Sequence, residues 1–385
     1  MTVLVEGNAI ALLENGLQYF PALEAEIDSA RHEIFLETYI FSRDVVGRRI
    51  AAALVRAAAR GVRVRVLVDG FGGREFVRDL MPGLLADGVE VLIFRRELRL
   101  TSLRRHRLRR MHRKIALIDA RVAFVGGINI TDDFELSGPP HPRYDYAVRV
   151  EGPLLAEIAE AVHRLWRLVS WASLQRRLQE AMRLPRRGPP AGGLRAAFLV
   201  RDNLRHRRDI EDAYLAAIGR AREEIVIANA YFFPGRQFRQ ALLEAAARGV
   251  RVTLVLQGLA DHPVLAHATR ALYPHFLQRG IRLFEYHRSY LHAKVAVVDR
   301  RWATVGSSNI DPFSLWLARE ANVVVEDAGF AGSLHRSLES AVQEGARELH
   351  REDWRRQRTL RRVASWLAYQ AVRLAIGIAG YGGRH

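Results

Sequence analysis

The sequence contains no cysteine. That excludes disulfide staples, thiolate metal sites and a cysteine nucleophile, and it removes the usual indicator of redox compartment. Lysine is nearly as scarce: among 59 lysines and arginines, only Lys114 and Lys294 are lysine. The opening stretch MTVLVEGNAIALLENG lacks a basic segment followed by an apolar one, so no signal peptide is read there and a cytoplasmic location is expected. Acid is in deficit too, with 42 Asp and Glu leaving a net charge of +17. Such a balance favours an anionic partner, nucleic acid or an anionic lipid surface, and does not choose between them. A hydrophobic content of 49% and a charged content of 26% are those of a globular protein, and 385 residues suit two domains.

The two lysines sit at matching places. MHRKIALIDARVAFVGGINI (111–130) is answered by LHAKVAVVDRRWATVGSSNI (291–310). Both read His-x-Lys-x4-Asp-x6-Gly-(Gly/Ser)-x-Asn: His112, Lys114, Asp119, Gly126 and Asn129, then His292, Lys294, Asp299, Gly306 and Asn309. Each pair is 180 residues apart, as 292 − 112 shows. A chain that uses arginine elsewhere and keeps lysine here needs a compact ammonium on a flexible stem, which a planar guanidinium does not replace.

The repetition extends beyond the motif. ARHEIFLETYIFSRD (30–44) resembles AREEIVIANAYFFPG (221–235), and AAARGVRVRVLV (57–68) resembles AAARGVRVTLVL (245–256). In the first half, periodicity predicts a helix over 16–31, a strand over 32–41, a helix over 45–61, a strand over 62–70, a helix near 74–87 and a strand over 89–94. This βαβαβ order predicts an α/β fold with a largely parallel sheet, duplicated. A probable helix over 153–182 and the Pro/Gly-rich run LPRRGPPAGG (184–193) separate the copies, giving domains over 1–184 and 185–350. RRELRLTSLRRHRLRRMHRK (95–114) is a basic loop suited to phosphates, and SGPPHPR (137–143) is an insertion without a counterpart in the second copy.

On a strand, residues two apart share a face, so each His faces the same way as its Lys and the motif Asp lies on the other face. Asp119 and Asp299 are therefore expected to be structural partners. Gly126 and Gly306 allow a tight backbone beside the site, and Asn129 and Asn309 can donate hydrogen bonds into it. Two imidazoles, two ammonium groups and two carboxamides suit a phosphodiester. Lys and Asn hold the non-bridging oxygens, one His attacks phosphorus and the other protonates the leaving oxygen. Metal ligation by the histidines is disfavoured by the adjacent ammonium, and no cofactor is expected.

The paired motifs resemble the phospholipase D superfamily over nearly all of residues 1–350. The wording HRKIALIDARVAFVGGINI, RYDYAVRVEGP and FSLWLAREANVVV is most similar to bacterial cardiolipin synthases of the short form without N-terminal membrane spans. The resemblance implies two α/β/α lobes around a pseudo-twofold axis, with a metal-independent, two-step reaction through a phosphohistidine. It implies His112 as nucleophile and His292 as general acid and then base. In the family a downstream acid orients each histidine; Asp145, after His112, and Glu320, after His292, match those places. Gly127 stands where the second motif has Ser307, so that site lacks one hydroxyl. The strand-end aromatics Tyr39, Phe41, Tyr231 and Phe232 match the region that lines the family's cleft; as ordinary core aromatics they would serve equally well. With Gly126, Gly127, Gly306 and Ser307 they form the expected substrate-contacting set.

After residue 350 the duplication ends in the basic REDWRRQRTLRR (351–362) and the apolar VASWLAYQAVRLAIGIAG (363–380). Leu360, Val363, Leu367, Ala371, Leu374 and Ile378 form one helical stripe with Arg373 off it, and Arg373 near the middle of the segment, with many small residues, argues against spanning a bilayer. An amphipathic helix on an anionic membrane surface is expected, with Trp366 and Tyr369 near its boundary. A last helix packed on the domain is the alternative. The functional expectation is transfer of a phosphatidyl group from one phosphatidylglycerol to another, with hydrolysis or another phosphatidyl transfer as the alternatives. Peripheral binding at the inner face of the cell membrane follows from it. A nuclease of the same superfamily would suit the charge but not the apolar tail, so no nucleic-acid partner is expected. A catalytically dead binding module conflicts with the intact residues in both copies.

Overall fold

In the computed structural model, residues 2–95, 109–134, 141–174, 188–202, 206–259, 263–311, 318–352 and 359–376 are described. The first copy runs β1 (Val5–Glu14), α1 (Asn15–Ser29), β2 (Glu33–Thr38), α2 (Val45–Ala59), β3 (Arg63–Asp69), a π-helical turn (Phe76–Leu80) continuing into α3 (Met81–Ala86), and β4 (Glu90–Phe94). β5 (Arg110–Met111), β6 (Lys114–Ile118), β7 (Val122–Gly126), β8 (Tyr146–Glu151) and α4 (Leu155–Ala172) complete it. The second copy repeats the order with β9 (Leu194–Arg201), α5 (Asp209–Arg220), β10 (Glu224–Asn229), α6 (Arg236–Ala247), β11 (Arg251–Gln257), α7 (Pro263–Arg270), α8 (Tyr273–Gln278) and β12 (Arg282–Tyr286). β13 (Lys294–Val298), β14 (Trp302–Gly306), β15 (Ala318–Glu326), α9 (Ala328–Gly345) and β16 (Ala346–Leu349) follow, and α10 (Thr359–Ile376) comes last.

Local chemistry explains the elements. Asp44 caps α2 by accepting the Gly47 amide at 2.7 Å. Ile50, Ala53, Leu54 and Ala57 then recur at helical spacing and are buried. Gly61, at φ 84°, ends the turn that leads into β3, and Gly249, at φ 89°, does the same before β11. β2, β3 and β6 are buried on both faces, and the charged side chains within them are paired, Glu37 of β2 with Arg113 and Arg65 of β3 with Glu90.

The sheet is less parallel than the βαβαβ order predicts. Within the main sheet β2, β3 and β4, and their counterparts β10, β11 and β12, are mutually parallel, β5 pairs parallel with β15 off it, and β6, β7, β8 and β1 join β2 antiparallel. The motif itself is the reason. It turns back within three residues, and a parallel pair needs a crossover of roughly a dozen. Strands β1 and β9, unmarked by clean alternation, pair with each other and join the copies into one sheet running from β16 to β4.

That sheet folds over on itself, so that β7 and β8 pack against β14 and β15. Val125 and Val148 share a central core with Val305 and Val323, and helices α4 and α9 fill its flanks through Ile158, Leu165 and Leu334. Separate outer cores lie beneath α1 and α2 and beneath α5 and α6. Removing a side chain such as Val148 from this shared core would cost about 1–3 kcal/mol or more, because both halves close on it.

Helix α10 combines both expectations for the tail. Val372 is buried, and Ala368 and Tyr369 pack with it on the second copy, against α7 and the Phe233 ring. The predicted stripe points the other way: Val363, Leu367 and Leu374 are exposed, as is Trp366. Tyr369 therefore belongs to the docked face and not to an outer boundary. Among the described residues, no helix is long and apolar enough to cross a membrane. Residues 96–108 of the basic loop, 137–140 of the insertion, and Ile378 lie outside the described residues.

Candidate active site

Each motif begins where a strand enters the sheet. β6 starts at Lys114 and β13 at Lys294, so the histidine two residues earlier stands at the strand's mouth. The motif aspartates lie at the far end, in tight turns where Asp119 and Ala120 have φ 51° and 48°, and Asp299 and Arg300 have φ 51° and 49°. Two successive positive φ values, with the Arg121 amide returning to Ile118 at 2.9 Å, mark a primed hairpin turn. Asp119 accepts the amides of Arg31, His32 and Glu33, each at 2.8 Å. Asp299 accepts those of Arg222, Glu223 and Glu224 at 2.9, 2.8 and 2.9 Å. Although motif members, both sit away from the histidines and tie the hairpin to the start of β2 or β10.

The two copies complete each other crosswise. His112 Nδ1 lies 3.0 Å from Glu320 of the second copy, and His292 Nδ1 lies 2.5 Å from Asp145 of the first. A reading in which each acid orients the histidine upstream of it in its own copy is therefore corrected. The backbone explains the exchange. The His112 amide donates to the Arg319 carbonyl at 2.9 Å and the His292 amide to the Tyr144 carbonyl at 2.8 Å, so each histidine lies alongside the residue preceding the other copy's acid.

The lysines are buried beside the histidines. Lys114 Nζ donates to the His112 carbonyl at 2.6 Å. Lys294 Nζ donates to the His292 carbonyl, lies 2.8 Å from His292 Nδ1 and stands 3.8 Å from Asp145. Burial, relieved in part by Glu320, pulls the Lys114 ammonium down to about 7. Burial also lowers both imidazoles, with Glu320 opposing the effect at His112 and Lys294 adding to it at His292. The carboxyl groups diverge. Burial pushes Asp145 up to about 6 despite Lys294, whereas at Glu320 burial is outweighed by His112, Lys114 and Ser307, which hold it below the usual range.

The one mismatch between the motifs adds to that divergence, Ser307 acting on Glu320 beside the larger effects of His112 and Lys114. Ser307 Oγ donates to Glu320 at 2.5 Å, while the Ala321 amide donates to Ser307 Oγ at 3.1 Å. A Cβ at Gly127 would lie 2.4 Å from Asp145 Oδ1. The shorter acid occupies the space that Ser307 fills opposite, so glycine is required there. Gly126 and Gly306 are required by close strands, since a Cβ would come within 2.5 Å of the Tyr146 carbonyl and 2.3 Å of the Asn322 side chain. These four residues support the carboxylates and the sheet; they were expected to touch substrate and do not line an open cleft.

Of the aromatics, Tyr39 lies at the site, its ring 5.0 Å from that of His112 and 5.6 Å from Lys114 Nζ. Tyr231 is half-buried at the equivalent strand end. Phe41 stacks on Phe76 and Phe232 packs on Phe276 in the outer cores, so both are corrected to core residues. Asn129 and Asn309 are buried. Asn129 accepts the Ile40 amide at 3.2 Å, and Asn309 Oδ1 has no partner among the described residues.

Two positioning residues went unnoticed in the sequence. Asp69 accepts the Met111 amide at 2.8 Å and Gln257 accepts the Leu291 amide at 2.8 Å, each fixing the residue before a motif histidine. Both end a strand in the repeated AAARGVRV segment, and that shared polar ending was the available signal. The described residues hold no cluster of three or more His, Asp or Glu able to grip a metal.

Comparison with known proteins agrees with this architecture. Residues 23–166 and 214–342 match the family described as cardiolipin synthase, PLD-like domain. Cardiolipin synthase B of Escherichia coli K12 is 43% identical over 347 residues, covering 88% of this chain and 81% of the relative. Cardiolipin synthase A of Yersinia pseudotuberculosis is 29% identical over 374 residues, covering 95% and 75%. In fold, the chain is similar to phosphatidylserine synthase of Haemophilus influenzae Rd KW20, with a TM-score of 0.72 at 13% identity, over 95% of this chain and 94% of that one. With its paired motifs matched in both halves, the chain belongs to the phospholipase D-like cardiolipin synthase family.

Proposed function

We propose that the protein is a cardiolipin synthase that moves a phosphatidyl group from one phosphatidylglycerol to a second, through phosphohistidine at His112. The observation that carries the mechanism is the pair of crossed His–carboxylate contacts with a buried lysine beside each. An ionised Glu320 on Nδ1 favours the tautomer with Nε2 free to attack, and the His112 side chain keeps 18% exposure against 9% for His292. Asp145 on His292 Nδ1 would orient that imidazole with Nε2 towards the leaving oxygen, the geometry a proton donor needs. His112 Nε2 bonds to phosphorus while the glycerol oxygen departs with a proton from His292. His292 then takes the proton from the acceptor hydroxyl, whose oxygen attacks phosphorus and releases His112. Lys114 and Lys294 carry the charge on the non-bridging oxygens.

Domains over 1–184 and 185–350 and a membrane-associating tail over 351–385 fit this reading. The exposed Val363, Trp366, Leu367 and Leu374 of α10, together with the +17 charge, support peripheral attachment to an anionic leaflet on the cytoplasmic side. The deciding experiment is mass spectrometry of products from phosphatidylglycerol vesicles with EDTA present. Cardiolipin and glycerol support the proposal. Phosphatidic acid alone makes the protein a hydrolase, and cleavage of DNA without lipid turnover makes it a nuclease.

A further inference from the structure

The contact between the copies places an arginine on the catalytic face beside His292. Tyr144 bridges Leu291 in parallel: the Tyr144 amide donates to the Tyr290 carbonyl at 2.9 Å, and the His292 amide to the Tyr144 carbonyl at 2.8 Å. Side chains alternate along each segment, so Arg143 stands beside Tyr290 and Asp145 beside His292, all four on one face. The contacts agree. Asp145 meets His292 Nδ1 at 2.5 Å, and the Arg143 guanidinium lies 5.9 Å from the centre of the Tyr290 ring. Tyr144, on the opposite face, turns its hydroxyl to Ser337 of α9 at 3.0 Å.

No partner neutralises this arginine. Arg143 is half-buried, its Nε is buried without a hydrogen-bond partner, and it forms no ion pair among the described residues. Two carboxyl groups near enough to feel its charge are otherwise engaged. Asp145 is held by His292 and by the Tyr146 amide, at 2.5 and 2.8 Å. Asp133 accepts the Gly16 amide at 2.9 Å, and burial pushes it up to about 7, with Arg143 only partly opposing. At His292 burial and Lys294 act most strongly, and Arg143 adds to them.

The other half differs at these places. There β5 and β15 form the matching parallel pair, with Ala318 in the position of Arg143 and Arg110 in that of Tyr290. Arg110 is tied to Asp69 at 3.4 Å, and the equivalent of Asp69 beside His292 is the uncharged Gln257. The arginine flanking His112 is therefore paired to a carboxylate, and the one flanking His292 is not. The His292 side is also where the proposed reaction admits its second lipid. The glycerol oxygen leaves beside His292, and the acceptor hydroxyl enters by the same path. The departing glycerol is neutral, whereas an acceptor phosphatidylglycerol carries its own phosphate one glycerol away from the entering oxygen. A guanidinium beside a phenol ring, with its donors unspent, suits that anion and has no counterpart to bind in the first step.

Resting on the function proposed above, we infer that Arg143 selects the acceptor: it binds the phosphate of the incoming phosphatidylglycerol, with Tyr290 positioning the guanidinium. The acceptor hydroxyl gives its proton to His292 as its oxygen bonds phosphorus and the bond to His112 Nε2 breaks. The test offers two acceptors that differ in that phosphate. Phosphatidylglycerol vesicles also carry monooleoylglycerol, so one phosphohistidine partitions between cardiolipin and acylphosphatidylglycerol, both read by mass spectrometry. In Arg143→Gln, and in Arg143→Ala, which copies the residue of the other half, the cardiolipin to acylphosphatidylglycerol ratio should fall about tenfold or more. The ratio does not depend on how much of the chain is folded, and a loss of proton transfer at His292 lowers both products alike. An unchanged ratio overturns the assignment, whether or not total turnover falls. If the unaltered protein makes no cardiolipin, the function itself is refuted and the acceptor site falls with it.

Discussion

Replacing Glu320 by Gln tests the crossed arrangement directly. The change keeps the side chain's length and its contact with Ser307, and removes the charge that faces His112 Nδ1 at 3.0 Å. A hydrogen bond to a charged group contributes about 1.5–3 kcal/mol. With about 1.4 kcal/mol per tenfold in rate, the burst of glycerol release should slow by roughly ten- to a hundredfold. Rate alone does not say which histidine was served, so the assay is NMR of the labelled imidazoles, assigned by removing each in turn. Glu320 raises the His112 pKa, so its loss should move the His112 titration further down and leave His292 in place. Asp145→Asn should move the His292 resonances and leave those of His112. If Glu320→Gln perturbs His292 and spares His112, each acid serves its own copy and the crossed geometry is wrong.

Gly127→Ser would put a Cβ 2.4 Å from Asp145 Oδ1, forcing the carboxylate about 1 Å away from His292; turnover should fall about a hundredfold, whereas Ser307→Gly, which creates space, should cost less. Lys114→Arg keeps the charge but has no room, since Nζ already sits 2.6 Å from the His112 carbonyl and the side chain is buried; activity should fall about a hundredfold, read as steady-state turnover. Because Lys114 is held near 7, below its ordinary value, charging it costs stability as pH falls from the unfolded value towards 7; Lys114→Met should therefore be more resistant to urea at pH 6, and a lower midpoint there would contradict the assignment. Exchanging the exposed Leu367 and Leu374 of α10 for Asp should weaken sedimentation with anionic vesicles about tenfold or more without altering the thermal midpoint, whereas a loss of folding would show that the stripe packs on the domain.

The repeat made much of the protein legible. A segment such as AAARGVRV carries its own helix, C-terminal glycine and buried strand, so α2–β3 and α6–β11 could be read from periodicity alone. Two lysines in a chain of arginines located the site for a similar reason: a chemical need overrode the composition. What periodicity does not hold is the relation between the copies. Strand β1 contains Gly7 and the buried Asn8, and its pattern is irregular because it lies at the seam where β9 continues the sheet. The pairing of Glu320 with His112 spans 208 residues, and sequence order suggested the nearer histidine. Phe41 and Tyr39 are two residues apart and share a strand face, yet one fills the outer core and the other reaches His112. The chain turns away from regular strand geometry after Thr38, which alternation does not report.

The crossing also explains why duplication and asymmetry coexist. Neither copy holds a histidine together with its carboxylate, so the catalytic unit exists only when the sheet closes on itself and the shared core is packed. Once the two sites are locked together in this way, one substitution can differentiate them. Serine opposite the longer acid gives Glu320 a hydroxyl donor that joins His112 and Lys114 in holding it low; glycine opposite the shorter acid leaves room for Asp145, which burial pushes up to about 6. Under the proposed mechanism that difference would suit one histidine to attack and the other to move a proton, the division of labour that two-step transfer needs. The first-motif Gly127, which in sequence reads as a missing hydroxyl, is thus one place where the two halves of a duplicated site differ, making room for Asp145 where Ser307 reaches Glu320.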